Sequence, residues 1–181
     1  MSESTTGTQA PSLHHVAYAC KDPEQTRHFY EDLMGFPLVH TEVAPVDEGF
    51  MRHLFFALDD GSCVAFFDVH NAGESEDWSS AISTGNGLPI WVNHLALRAT
   101  SDKQDEVLER MRAEGSDVLM ILDHSWCISH YYLDPNGILV ELCRDNPGMP
   151  IDPVEARELL SALPDPSAPH AEARLVEAPP K

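Results

Sequence analysis

The chain has 181 residues, enough to bury a sizeable core without disulfide or metal staples. Its 43% hydrophobic and 23% charged composition is that of an ordinary soluble domain, and no apolar run approaches the roughly 20 residues that span a bilayer. Thirty acidic against eleven basic residues give a formal charge of −19, which repels nucleic-acid phosphates and acidic membrane surfaces, so neither is an expected partner.

Residues 1–11 are polar, without the basic start and apolar stretch of a secretion signal, and predict a disordered segment in a cytoplasmic protein. LHHVAYAC (13–20) alternates as a strand does. Asp22-Pro23-Glu24-Gln25 then reads as a cap, an N1 proline and a capping-box glutamine, with Phe29 and Leu33 spaced i, i+4 and Gly35 closing the helix. Strands are predicted at 37–44, 50–58 and 62–69, the last two joined by Asp59-Asp60-Gly61. A polar linker with a short helix near Trp78 follows at 73–88.

The grammar then repeats. VNHLALRA (92–99) is a strand, and Ser101 caps a helix with Gln104 at N3, Val107, Leu108 and Met111 as its apolar stripe and Gly115 at its end. Strands are predicted at 117–122, 126–133 and 138–143, with Asp134-Pro135-Asn136-Gly137 as a turn. Asp152-Pro153 opens a terminal helix carrying Leu159 and Leu160, and the Pro- and Ala-rich tail from Pro164 predicts disorder. The fold class is therefore α+β, built from two tandem βαβββ units. The expected divisions are a first unit at 12–72, the linker 73–88, a second unit at 89–145, a C-terminal helix at 146–163 and the tail 164–181.

Cys20, Cys63, Cys127 and Cys143 sit singly in apolar runs without a C-x-x-C pair, and read as buried free thiols. Phe50, Phe55, Phe56, Phe66, Phe67 and Trp126 read mostly as core at strand spacing, with room for some to line an apolar pocket. His14, His28, His40 and His130 are assigned surface or supporting roles.

Because strand side chains alternate faces, His15 with Ala17 and His94 with Ala96 occupy equivalent positions on the first strands of the two halves. Glu141 lies in the otherwise apolar run ILVELC, where a carboxylate without a cation or donor is costly. Two histidines and one carboxylate are the ligand set of non-haem Fe(II) oxygenases, and the same trio holds Mn, Ni or Zn. The alternative is that both histidines are core residues bonded to backbone and Glu141 an edge residue facing water.

LHHVAY, TRHFYEDLMGF, VNHLAL and YYLDPNGILVEL together resemble the vicinal oxygen chelate superfamily over about residues 13–145. The most specific match is Tyr-x-x-Asp-Pro-x-Gly-x-x-x-Glu from Tyr131 to Glu141. The resemblance implies that the two tandem βαβββ units form a curved half-barrel sheet around a metal site, with His15, His94 and Glu141 as the metal ligands. Glyoxalase-like members place a further carboxylate on the last strand of the first half, where Ala65 stands here. Asp68 would serve only if that strand's register slipped, since the two residues should face opposite sides.

Three ligands favour the extradiol dioxygenase branch, in which His124 and Tyr131 match the histidine and tyrosine around the substrate hydroxyls. The resemblance then implies Fe(II), with Mn, Ni or Zn as alternatives, a catechol-like aromatic substrate, O2 and a homodimer. That branch usually carries an acid–base histidine where this chain has Ser62; His53 is a candidate to replace it, whereas His70 is expected to lie outside. A glyoxalase-like lyase, isomerase or epimerase, and a non-catalytic small-molecule binder, are the alternatives.

Overall fold

The computed structural model describes residues 12–147, 152–164 and 173–177. The expected disorder of 1–11, and of the tail at 165–172 and 178–181, lies outside the described residues. The chain divides into units 1–78 and 79–181, a boundary inside the anticipated linker.

The first unit begins with β1 (His15–Ala19) and α1 (Pro23–Arg27). Asp22 caps α1 by accepting from the backbone of Glu24 and Gln25, while the Gln25 amide returns to its carboxylate, so the capping box forms as read. The helix continues as a π-helical stretch (His28–Leu33) and ends where Gly35 takes φ 75°, the left-handed conformation glycine adopts without Cβ strain. Then come β2 (Leu38–Val46), β3 (Gly49–Ala57) and β4 (Cys63–His70). The sheet order is β1-β4-β3-β2, with β1 parallel to β4 and the other pairs antiparallel.

One face of this sheet is core. Tyr30 is fully buried against Phe56 and Phe66, with ring centroids 5.5 and 4.8 Å away, geometry worth about 0.5–1.5 kcal/mol per pair beyond area burial. The other face carries His15, Ala17, Ala65, Phe55 and His53, because paired positions across a pleated sheet share a side.

No helix forms near Trp78, at the end of the first unit; the second unit opens with a connection that contains one 3₁₀ turn, Thr84–Asn86. It continues through β5 (His94–Arg98), α2 (Ser101–Ala113), β6 (Met120–Asp123), β7 (Cys127–Leu133) and β8 (Leu139–Asp145). Thr100, not Ser101, caps α2, accepting from the Lys103 amide; both residues are competent caps, and the chain turns helical one position later than Thr100. Gln104 forms no capping box. It is buried, and its amide donates to the carbonyls of Ile128 and Leu142, tying α2 to the sheet.

α3 (Pro153–Leu159) begins at the Asp152 cap as expected, but Leu159 and Leu160 are exposed. Within the supposed tail, Arg174–Glu177 forms β9, antiparallel to β6, giving the order β5-β8-β7-β6-β9. Both sheets are open rather than closed barrels, and the class is α+β as read. No helix among the described residues is long and apolar enough to cross a membrane.

Candidate metal centre

In the second unit β5 runs parallel to β8 with Ala96 opposite Glu141, and β7 places Tyr131 opposite the same glutamate. Leu95 and Leu97 are buried on one side of β5, while His94 and Ala96 emerge on the other. His94 Nε2 lies 3.0 Å from Glu141 Oε2, so the structure brings two of the three expected ligands together. His94 Nδ1 lies 2.8 Å from the carbonyl of Trp91, which only accepts, so Nδ1 carries the proton. In the neutral ring Nε2 is then a lone pair facing a carboxylate oxygen. A proton held between the two groups, or a cation bound by both, satisfies that contact.

Glu141 is 5% exposed, and its other oxygen accepts from the Ser129 hydroxyl at 2.5 Å. Tyr131 is buried, and its hydroxyl lies 3.0 Å from His124 Nε2. Burial first, and the negative charge of Glu141 second, hold the Tyr131 phenol above its ordinary range, so it stays protonated and donates. The two residues expected around a substrate are thus in contact with each other, and the tyrosine stands beside Glu141. Tyr132 alternates to the opposite face and is buried there. Trp126 departs from its core assignment: it is 43% exposed, its ring centroid 5.9 Å from that of His124.

His15 occupies in the first unit the place of His94 in the second, as the opening residue of a strand that runs parallel to the last strand of its βαβββ unit. Its Nδ1 is 2.8 Å from Nδ1 of His14, and its ring lies 5.9 Å from that of His53 and 5.5 Å from Phe55. His53 is 8% exposed, stacked on Phe67 at 3.8 Å, and its buried Nε2 has no hydrogen-bond partner. Burial, then the neighbouring His15, lowers its pKa and keeps the ring neutral. Ser62 instead closes a turn on the Asp60 carboxylate, through both its amide at 2.9 Å and its hydroxyl at 2.6 Å.

The register of β4 does not slip: Ala65 pairs with Ala17 and Phe55 on the His15 face, and Asp68 points the opposite way. Asp68 is buried and engaged by Arg52 at 2.5 Å and His70 at 2.8 Å. Of the histidines assigned surface or supporting roles, His28 pairs with Asp32 at 2.9 Å, whereas His130 is buried in β7. None of the four cysteines is in a disulfide; Cys20 and Cys127 are buried, and Cys63 and Cys143 half-buried. Cys127 and Cys143 both lie on the Glu141 face; the i, i+2 spacing of Glu141 and Cys143 on β8 carries that signal, whereas the contact with Cys127 crosses strands and no spacing foretold it.

The family description Glyoxalase/Bleomycin resistance protein/Dioxygenase superfamily matches residues 12–142, and the chain belongs to that superfamily. Among solved structures it is similar to a glyoxylase/bleomycin resistance protein/dioxygenase domain from Frankia sp. EAN1pec, with TM-score 0.60, 13% identity, and 77% of this chain and 96% of that one covered. It is also similar to a mutant of the fosfomycin resistance protein FosX from Listeria monocytogenes, complexed with Mn(II) and 1S,2S-dihydroxypropylphosphonic acid, with TM-score 0.51, 20% identity, and 74% and 92% covered. At these identities the likeness is one of fold. No curated protein matches the sequence.

Proposed function

We propose that this protein is a divalent-metal enzyme that holds its cation through His15, His94 and Glu141 and acts on a small molecule offering two vicinal oxygens. The reaction proposed is extradiol-type ring opening of a catechol-like aromatic with O2, with Fe(II) as the metal; Mn, Ni and Zn suit the same donors. The observation that carries this reading is the 3.0 Å contact of His124 Nε2 with the Tyr131 hydroxyl, on the strand beside Glu141.

The residues fit a cation. Glu141 is buried with His94 Nε2 against one oxygen, and the ring is oriented by a backbone carbonyl, the usual arrangement behind a ligating imidazole. Bound Fe(II) would supply Lewis acidity and one-electron chemistry toward O2. The chain's own residues do the rest. Tyr131, kept protonated, donates its one hydrogen to an oxygen that gains charge during the reaction, and His124 Nε2, 3.0 Å from the phenol oxygen, holds the phenol in place. His53, neutral on the face that carries His15, is available as the further base in place of the position Ser62 fills.

Ala65, standing where a fourth carboxylate would be needed, supports three ligands rather than the four of the glyoxalase-like lyases. A second reading, a redox-inert lyase, isomerase or epimerase, draws support from the Mn(II) and dihydroxy ligand of the FosX neighbour. Anaerobic reconstitution with Fe(II), elemental analysis and O2 uptake across a catechol panel separate the two. The proposal expects one iron per chain, O2 consumption and a yellow ring-fission product, all lost in Glu141→Gln. Iron-loaded protein inert to every catechol sinks it; a redox-inert metal in the purified protein with turnover of hemithioacetals promotes the second reading.

A further inference from the structure

Cys127 and Cys143 lie on adjacent antiparallel strands, one step diagonal to each other, since Ser129 pairs with Cys143 and Cys127 with Asp145. Their two sulfurs and a carboxylate oxygen of Glu141 all lie within 4.8 Å of one another. Cys127 is fully buried, Glu141 nearly so, and Cys143 half-buried, which leaves an approach from solvent on the Cys143 side. The Ser129 hydroxyl stands in this group, 3.5 Å from Cys127 Sγ and 2.5 Å from Glu141 Oε1. His94 instead meets Oε2. The glutamate therefore offers one oxygen to the histidine and the other to the side where the sulfurs converge.

We infer that Cys127, Cys143 and Glu141 form a second cation position, selective for a thiophilic ion such as Zn(II) or Cd(II), that shares the Glu141 carboxylate with the His94 side. Two thiolates and a carboxylate oxygen suit a soft or borderline dication, and the sulfur pair discriminates against Mg(II), Ca(II) and Mn(II). Tetrahedral zinc with Zn–S bonds of about 2.3 Å needs sulfurs about 3.7 Å apart, so the donors close on an ion by side-chain movements of about 1 Å. Each thiol gives its proton to solvent as it ligates, and the Ser129 hydroxyl or a water completes the fourth position. Plain packing of two thiols accounts for their burial but not for both being set beside a buried carboxylate. The inference uses neither His15 nor the reaction proposed above.

The test is a titration of the reduced, full-length chain with Cd(II), followed by thiolate-to-metal charge-transfer absorption. One equivalent should saturate the signal, and Mg(II) or Mn(II) should not displace it. Cys127→Ser and Cys143→Ser should each weaken binding at least about 100-fold, Glu141→Gln about 10-fold or more, whereas Cys20→Ser, Cys63→Ser and His94→Ala should leave the signal intact. A folded Cys127→Ser or Cys143→Ser chain that keeps the full signal overturns the inference. Should those variants not fold, alkylation of the folded, unsubstituted chain mapped by mass spectrometry decides at the two half-buried thiols: Cd(II) protection of Cys143 but not of Cys63 supports the site, and protection of Cys63 or of neither overturns it. Failure of Fe(II)-dependent O2 uptake would leave these outcomes untouched.

Discussion

Ala65 and Glu141 occupy the same place in their respective sheets. Ala65 sits on β4 opposite Ala17, two residues beyond His15; Glu141 sits on β8 opposite Ala96, two residues beyond His94. The repeat therefore carries an acid in one unit and a methyl group in the other, and a protein built on four donors would need the acid in both.

Ala65→Glu tests that asymmetry. Ala65 is fully buried, so an added carboxylate without a partner should lower stability by about 3–5 kcal/mol in the presence of chelator. Saturating Mn(II) or Zn(II) should recover about 2–3 kcal/mol of this, the value for a ligand at about 100 times its Kd. Thermal melts with and without metal read the outcome, and a variant whose Tm ignores metal would remove this position from the ligand face.

Tyr131→Phe should reduce kcat by about 100-fold while metal content stays at one per chain, because it removes a donor and not a ligand. His124→Ala should give a similar loss. Since the two groups touch at 3.0 Å, the double variant should be little slower than either single one. Additive losses in steady-state kinetics would mean that they act separately.

Asp68→Asn should destabilise the fold by about 2 kcal/mol, since it weakens charge-assisted bonds from Arg52 and His70 to a buried acceptor. Metal affinity should change less than about threefold, because Asp68 faces away from His15. Denaturant unfolding and metal titration on the same protein separate these effects; a joint loss would place Asp68 among the ligands after all.

Gly49 begins β3 where an added Cβ would overlap the backbone carbonyl of His70. Backbone cannot yield as a side chain does, so Gly49→Ala should cost about 1–3 kcal/mol. A chemical-denaturation midpoint unchanged by the substitution would show that the β3–β4 end relaxes freely.

Much of this architecture is legible in local patterns. Alternation in LHHVAYAC and VNHLALRA marks two equivalent strands, and Asp22-Pro23 and Asp152-Pro153 mark helix starts, because period, caps and turns are set by neighbours within a few residues. Burial of Glu141 follows from the apolar run around it. The same local logic misplaced the α2 cap by one residue, where Thr100 and Ser101 compete on equal chemistry, and it took Gln104 for a capping residue although its partners lie on β7 and β8.

The amino-acid order thus specifies the βαβββ repeat, the equivalence of His15 and His94, and the opposite facing of Ala65 and Asp68, all consequences of short-range periodicity. Tertiary pairing alone decides that His124 meets Tyr131, that Arg52 takes Asp68, that residues 174–177 extend the second sheet, and that Cys127 reaches Glu141. Those contacts depend on the register between strands, and register is chosen by the summed packing of whole sheet faces, which no short stretch of sequence carries.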